Sequence, residues 1–363
     1  MKLQDSLKKQ IATLPVYETG KPIEYVAREF GLDPDGILKM ASNENPLGPS
    51  PKAVEAVQKH LGGLNYYPDG GCYELKQKLA KVRNVKPSQL VVGNGSNEIL
   101  EFIPQCFVEE GDNAVFGAQS FIVYKLATIF AGGECRSVAM PNLRYDLDAM
   151  LDAVDEKTKI VFMANPNNPT GCVVPQDEVS NFVRALPDHV IFCYDEAYTE
   201  FQEHEVDLLP LINEGRNVIC LRTFSKIYGL AGLRIGYSYS SEELAGYINR
   251  VREPFNVNTL AQVGAIAALD DAEFVNESRR SNRAGMKQLS EGLEELGLEH
   301  FSEGANFVMA KVPDAAGTFV SLQKKGIIVR PNVGYGLPDW LRITIGKPEQ
   351  NQRLLDELKK LFR

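Results

Sequence analysis

Residues 221–236 place Lys226, the hydroxyls of Thr223 and Ser225, and Arg234 around a turn that is punctuated by glycines. The amine of Lys226 is able to condense with an aldehyde. The hydroxyls of Thr223 and Ser225 and the guanidinium of Arg234 are suited to binding a phosphate. Pyridoxal phosphate carries both an aldehyde and a phosphate, so the segment fits this cofactor. Taken alone, Lys226 would more simply be a solvated loop lysine.

Two other segments favour the cofactor-binding interpretation of Lys226. In residues 189–198, an apolar run typical of a buried strand ends in Asp195 and Tyr198, and open α/β sheets bind ligands at the carboxyl ends of their strands. A carboxylate there can pair with a protonated pyridine nitrogen, and a phenol can hydrogen-bond the hydroxyl of the same ring. The simpler interpretations are a helix cap for Asp195 and packing for Tyr198.

In the third segment, residues 159–171, a buried strand leads into a turn rich in asparagine and proline. The amide of Asn168 could hydrogen-bond the phenolic oxygen of the cofactor. Turn chemistry alone would also account for this composition.

These segments need a scaffold that brings strand ends together. Strands alternate with helical stretches such as 176–186, and this alternation predicts a mostly parallel sheet sandwiched by helices, an α/β fold. The predicted strands are 90–92, 114–116, 134–138, 160–164, 190–194, 218–221 and 234–239.

After residue 258 the rhythm changes to a long helical zone, 259–296, followed by shorter strands and a closing helix from Glu349. This change predicts a smaller C-terminal α+β domain. Its strands are predicted at 307–312, 327–329 and 341–345, and one short helix is predicted near 24–30. The expected organisation is an N-terminal arm at 1–40 that packs with the small domain, a large cofactor-binding domain at 41–257, and a small domain at 258–363.

Composition excludes several function classes. A chain of 363 residues is long enough for two domains, and its net charge of -9 disfavours nucleic acid or an anionic membrane as a partner. No apolar run could span a bilayer, and residues 1–10 lack a signal-peptide core, so we expect a cytoplasmic protein. The six cysteines are scattered, as expected of reduced thiols, and the four histidines share no zinc-ligand spacing.

Taken in chain order, the runs 165–171, 195–198 and 225–234 resemble the fold type I pyridoxal-phosphate-dependent aminotransferases. The joint pattern is far more specific than any one run. Within that superfamily the chain resembles the histidinol-phosphate aminotransferase family, from about residue 14 to the C-terminus. The further matching runs are 41–46, 66–70 and 340–346.

The glycine-rich run 93–98 follows a strand and opens a helix, a junction that offers backbone amides to one phosphate. We therefore assign Gly95, Ser96 and Asn97 to the cofactor phosphate, although a plain strand-to-helix turn is the alternative. The resemblance places Phe121 where a ring stacks on the pyridine; packing in the core is its alternative role.

Arg342 lies among apolar neighbours of a predicted strand, where a guanidinium needs an anionic partner. It is the candidate for the substrate carboxylate or phosphate, and a structural salt bridge is the alternative. The resemblance implies Arg330 as a second anion-binding arginine and Asn43 and Tyr17 as substrate residues. It implies that Tyr67 crosses a homodimer interface to the partner's cofactor phosphate, whereas the sequence alone favours a surface tyrosine in a loop rich in proline and glycine.

The resemblance implies transamination between histidinol phosphate and 2-oxoglutarate, giving imidazole-acetol phosphate and glutamate. Lys226, Asp195 and Tyr198 would be the catalytic residues, and no metal is expected. An aromatic amino-acid aminotransferase would need the same cofactor residues, and a threonine-phosphate decarboxylase would differ by releasing CO₂. A pyridoxal-phosphate-binding transcription regulator would need a DNA-binding module and a different net charge.

Overall fold

The computed structural model describes residues 3–14 and 20–362. In these residues, thirteen strands and fourteen α-helices are connected by short turns and 3₁₀ helices. The strands are β1 Leu38–Lys39, β2 Leu90–Gly93, β3 Asn113–Gly117, β4 Glu134–Val138, β5 Thr158–Ala164, β6 Ile191–Asp195, β7 Val218–Thr223, β8 Gly236–Tyr239, β9 His300–Phe301, β10 Phe307–Lys311, β11 Ile327–Ile328, β12 Arg330–Asn332 and β13 Leu337–Thr344. The helices are α1 Lys9–Thr13, α2 Ile23–Phe30, α3 Pro51–His60, α4 Tyr73–Arg83, α5 Ser96–Phe107, α6 Ile122–Ala131, α7 Leu147–Asp152, α8 Gln176–Ala185, α9 Leu209–Asn213, α10 Glu242–Val251, α11 Thr259–Ala268, α12 Ala272–Glu295, α13 Ala315–Lys324 and α14 Pro348–Phe362.

The central sheet has seven strands in the order β2-β8-β7-β6-β5-β3-β4. All neighbours along β7-β6-β5-β3-β4 are parallel, and β8 is antiparallel to both β2 and β7. The predicted α/β fold with a mostly parallel sheet is therefore confirmed. Because β5, β6 and β7 are adjacent and parallel, their carboxyl ends meet at one edge, which is where a site is expected.

Both faces of this sheet are covered, as the near-continuous apolar strands require. Side chains of successive residues point to opposite faces, so Phe192 and Tyr194 enter one core with α4, α8 and α11, whereas Ile191 and Cys193 enter the other with α5, α6 and α10. The alternation matters for the site because it decides which residue of each strand end faces the cavity.

The C-terminal part forms a four-stranded antiparallel sheet in the order β12-β13-β10-β9, with α12, α13 and α14 packed around a separate core. In the N-terminal segment, α2 buries Val26 and Ala27 against Ile328 of β11, and β1 pairs in parallel with β11. The domain boundaries at 40/41 and 257/258 stay predictions.

The predicted helical zone 259–296 consists of two helices, α11 and α12, with a break at Asp271, whose backbone is non-helical at φ -102° and ψ 57°. The Asp271 carboxylate accepts a hydrogen bond from the Ser50 hydroxyl at 2.6 Å, beside the start of α3. One predicted element was wrong in detail. The strand predicted at 234–239 begins at Gly236, since Arg234 has a left-handed backbone with φ +55° and ends a turn.

All six cysteines are unpaired thiols, and four of them are buried. Within residues 3–14 and 20–362, no helix combines the length and the apolar character needed to cross a membrane.

Candidate functional site

A cavity of about 500 Å³ opens at the carboxyl ends of β5, β6 and β7. It collects all the residues predicted to hold the cofactor except Tyr67. Those residues are Gly95, Ser96, Asn97, Phe121, Asn168, Asp195, Tyr198, Thr223, Ser225, Lys226 and Arg234. A larger cleft of about 780 Å³, between Arg144 and α12, is lined by none of them. The predicted cofactor residues therefore line the smaller of the two cavities.

Lys226 follows β7 and is half-buried in this cavity. Its Nζ donates a hydrogen bond to the carbonyl oxygen of Ser42 at 3.0 Å and lies 5.5 Å from the centre of the Tyr198 ring. Burial, with the positive charges of Arg342 and Arg234, lowers the pKa of Lys226 to about 8. The neutral amine, which a nucleophile or a base requires, is therefore far more populated near neutral pH than in an ordinary lysine.

Asp195 ends β6 and is buried. One carboxylate oxygen accepts from the Tyr124 hydroxyl at 2.8 Å and the other from the backbone N–H of Ala197 at 3.1 Å. Burial raises the pKa of Asp195 to about 6, against the opposing effect of these hydrogen bonds. A protonated pyridine nitrogen would be a suitable partner, because a cation beside the carboxylate favours its charged form.

Tyr124 is a site residue that sequence reasoning missed. It is fully buried, it stacks on Phe162 with ring centres 4.8 Å apart, and it meets Phe121 edge-on at 5.9 Å. The sequence could have indicated Tyr124 through its spacing of three residues from Phe121, at the start of α6. That spacing places both rings on one side of the helix.

Arg342 on β13 reaches across to the large sheet. Its guanidinium donates to Oδ1 of Asn168 and to the carbonyl oxygen of Ala41, the latter at 2.7 Å. Since a guanidinium only donates, the oxygen of the Asn168 amide must face it. The amide nitrogen is then turned away from Arg342 and can donate to a phenolic oxygen.

Tyr198 and Asn43 extend this network. The Nδ2 of Asn43 donates to the Tyr198 hydroxyl at 2.9 Å, and the backbone N–H of Asn43 donates to Oγ1 of Thr344 at 2.9 Å. The Tyr198 hydroxyl keeps its own proton available to a ligand, since burial raises the pKa of Tyr198.

The N-terminus of α5 and Arg234 form a cradle. Gly95 has φ +86°, and a Cβ built there would lie 2.8 Å from Nη2 of Arg234, so the backbone and the guanidinium approach closely only because the residue is glycine. The first N–H groups of a helix have no intrahelical partner, which suits Ser96 and Asn97 to a phosphate. With the Ser225 hydroxyl lining the same cavity, these donors fit the phosphate of pyridoxal phosphate.

Four of the predicted residues that the structure describes lie outside the cavity lining, namely Asn43, Arg330, Arg342 and Tyr67. Arg330 on β12 is directly opposite Arg342 on β13, so the two arginines are neighbours in one sheet. A Cβ built at Gly20 would lie 3.7 Å from Nη1 of Arg330. Tyr67 is 81% exposed and stacks on Phe255 with ring centres 4.8 Å apart. Tyr17 lies outside the described residues.

Comparison with known proteins adds to this geometry. A family model described as aminotransferase class I and II matches residues 35–358. Histidinol-phosphate aminotransferase 1 of Dechloromonas aromatica (strain RCB) is 46% identical to this chain over 362 residues, 99% of each chain. Histidinol-phosphate aminotransferase of Akkermansia muciniphila is 42% identical over 365 residues, the whole of both. The crystal structure of histidinol-phosphate aminotransferase from Sinorhizobium meliloti in complex with pyridoxal-5'-phosphate matches with a TM-score of 0.89 and 28% identity, covering 98% of this chain and 97% of that one.

Proposed function

This chain belongs to the class I and II aminotransferase family, and we propose that it transfers the amino group of histidinol phosphate to 2-oxoglutarate, giving imidazole-acetol phosphate and glutamate. The resemblance expected from the motifs is confirmed, and the chain is an aminotransferase that uses pyridoxal 5'-phosphate. The observation that carries the proposal is that Lys226, Asp195 and Asn168 line one cavity. The relatives that match this chain over its whole length are named histidinol-phosphate aminotransferases.

When bound, pyridoxal phosphate supplies an aldehyde that captures amines and a protonated ring that accepts the electron pair left by a departing proton. We assign proton transfer at the substrate's α-carbon to Lys226. Its lowered pKa favours the neutral amine that takes the proton, and the same Nζ then returns it. Asp195 would keep the ring nitrogen of the bound cofactor protonated, and the Tyr124 hydroxyl holds Asp195 in place.

The other cavity residues bind and orient the cofactor in this proposal. The amide of Asn168 and the hydroxyl of Tyr198 bind the phenolic oxygen, and Phe121 covers a face of the ring. The phosphate is assigned to the α5 cradle and to the hydroxyl and guanidinium groups beside it. Those residues are Gly95, Ser96, Asn97, Thr223, Ser225 and Arg234.

We assign the anionic substrate groups to Arg342 and Arg330, with Asn43 and Tyr17 as further substrate residues. Histidinol phosphate has a phosphate and no carboxylate, whereas glutamate has two carboxylates. One site must therefore accept both kinds of anion, and the planar fork of arginine suits either. The buried position of Arg342 between two strands supports this assignment.

We further propose a homodimer. Tyr66 and Tyr67 are 75% and 81% exposed on a loop, and the half-exposed ring of Phe255 stacks on Tyr67. An exposed aromatic patch of this kind is typical of an interface, and the occupant we propose is a second copy of the chain, into whose cofactor site Tyr67 would reach. The six unpaired thiols are in keeping with a cytoplasmic location.

A half-reaction titration tests the substrate. The pyridoxal-phosphate form is mixed with histidinol phosphate or with phenylalanine, and the loss of its visible absorbance is followed at each concentration. We expect an efficiency at least tenfold higher for histidinol phosphate. Equal efficiency for the two amines would mean that the substrate assignment is too narrow. Histidinol phosphate has no carboxylate to lose, so threonine phosphate is tested as a third amine, and release of CO₂ from it in place of amino transfer would overturn the reaction type.

A further inference from the structure

The ends of β6 and β7 each carry two consecutive polar residues that face opposite sides of the sheet. Side chains alternate along a strand. Asp195 and Thr223 line the cavity, whereas their neighbours Glu196 and Arg222 point to the other face. Two backbone segments therefore hold a cofactor residue on one side and a charged residue on the other.

On that other face the charged residues join in a buried cluster. Arg222 donates from Nε to Oε2 of Glu196 and from Nη2 to Oε1 of Glu196, both at 3.0 Å, so the pair is bidentate. Arg222 also contacts Glu200 at 3.3 Å and Glu205 at 2.9 Å. The glutamate–arginine cluster, as we call it, consists of Arg83, Glu196, Glu200, Glu205, Arg222 and Arg279.

The cluster is balanced in charge, with three arginines and three glutamates. Its centre is dry: the side chains of Glu196 and Arg222 are 0% and 3% exposed. Tyr239 on β8 donates to Oε2 of Glu196 at 3.0 Å, which adds a third strand to the arrangement. A buried ion pair of this kind adds little net stability compared with well-packed apolar residues, so stability alone does not explain it.

The cluster also reaches elements far from the strand ends. Arg279 of α12 donates to the carbonyl oxygen of Glu200 and lies 3.7 Å from Glu205. Arg83 of α4 donates to the Tyr237 hydroxyl at 2.7 Å. The glutamate–arginine cluster therefore connects β6, β7 and β8 to α4 on one side and to the long helix α12 on the other.

We propose that the glutamate–arginine cluster is a positioning device for the cofactor site: the Glu196–Arg222 pair fixes the ends of β6 and β7, and so fixes where Asp195 and Thr223 point. Glu196 and Arg222 are thus positioning residues that never touch the cofactor. The inference rests on the proposed use of pyridoxal phosphate. It follows from backbone geometry, since each of the two charged residues is the direct chain neighbour of a cavity residue.

The test separates positioning from folding. In Glu196→Leu/Arg222→Met, both charges leave together, so the net charge of the cluster stays zero. Glu200 keeps only its 4.0 Å contact with Arg83, so the midpoint of thermal unfolding should fall, but the protein should stay folded at the assay temperature. Pyridoxal phosphate should nevertheless bind at least tenfold more weakly, and the pH midpoint of its visible absorbance in the bound state should move. Glu196→Gln leaves an excess arginine charge, and should lower both the unfolding midpoint and the affinity.

The matched control is Arg184→Met/Glu214→Leu, which removes an arginine–glutamate pair at 3.1 Å on the surface. Its affinity and absorbance should equal those of wild type. A folded Glu196→Leu/Arg222→Met protein with wild-type affinity and an unchanged absorbance titration would overturn the inference. If that double variant does not fold, Glu196→Gln decides by the same two readouts. A wild-type protein that failed to bind pyridoxal phosphate would instead refute the proposed function.

Discussion

Replacing Arg342 by alanine should weaken both half-reactions at once. Arg342 is only 7% exposed and holds Oδ1 of Asn168 and the carbonyl oxygen of Ala41. The substitution therefore removes the proposed partner of the substrate anion, and it also releases the Asn168 amide from the orientation that faces the cofactor.

The magnitude follows from these contacts. Removing one partner of a buried ion pair costs ~3–5 kcal/mol, and each ~1.4 kcal/mol is tenfold, so kcat/KM should fall at least about a hundredfold with histidinol phosphate and with glutamate alike. The substitution should also lower the free energy of unfolding, because the oxygens of Asn168 and Ala41 each lose a donor, at a cost of ~1–3 kcal/mol if they stay without water.

Water can reach these oxygens from the cavity, so we expect the lower end of that range, a loss of about 2 kcal/mol of stability for the two together.

The assay is single-turnover kinetics of each half-reaction, with thermal unfolding measured alongside. Arg342→Lys should recover only part of the activity, because an ammonium is a point charge and cannot make the two-pronged contact. The matched control is Arg353→Ala on α14, whose guanidinium likewise holds two carbonyl oxygens, those of the Gly36 and Lys325 backbones, but on the surface. If Arg342→Ala stayed within a few-fold of wild type in both half-reactions, Arg342 would be a structural residue and the substrate site would have to be moved.

Three further outcomes are expected. Lys226→Ala should lose turnover and should bind pyridoxal phosphate without being covalently labelled on borohydride reduction. In wild type, labelling should rise with pH through about 8, because only the neutral amine attacks an aldehyde. A label on another lysine would end the assignment. Asp195→Asn should keep the cofactor but slow proton abstraction by several orders of magnitude, as stopped-flow absorbance would show; near-normal rates would remove Asp195 from the mechanism. Tyr124→Phe should slow the same step less, about tenfold, since one hydrogen bond to the carboxylate is lost, and an unchanged rate would make Tyr124 a packing residue.

The strand ends of the site could be predicted because their signals are local. Asp195 ends an apolar strand of five residues, Asn168 comes after one of seven residues, and Lys226 comes after a third. Parallel strands of one sheet end at a common edge, so residues at those ends meet even though they are far apart in sequence. The order of the strands was not needed for that argument.

The contacts between distant segments could not be predicted. Arg342 and Asn168 are separated by 174 positions, and their pairing depends on how the two sheets pack. The carbonyl of Ser42 that holds Lys226 is a backbone atom, and backbone acceptors carry no residue signature. The hydrogen bond from Ser50 to Asp271, at the break between α11 and α12, joins residues that are 221 positions apart.

The same sheet thus uses alternation for two opposite electrostatic purposes. On the cavity face, burial raises the pKa of Asp195 to about 6 and lowers that of Lys226 to about 8, so both charged forms are disfavoured there. On the other face, Glu196 and Arg222 satisfy each other within a balanced cluster. Perturbed groups belong where a ligand brings the compensating charge, and paired groups belong where none does. Neighbouring residues of a strand face opposite sides, so inserting a single residue into β6 would turn Asp195 towards the cluster and Glu196 towards the cavity.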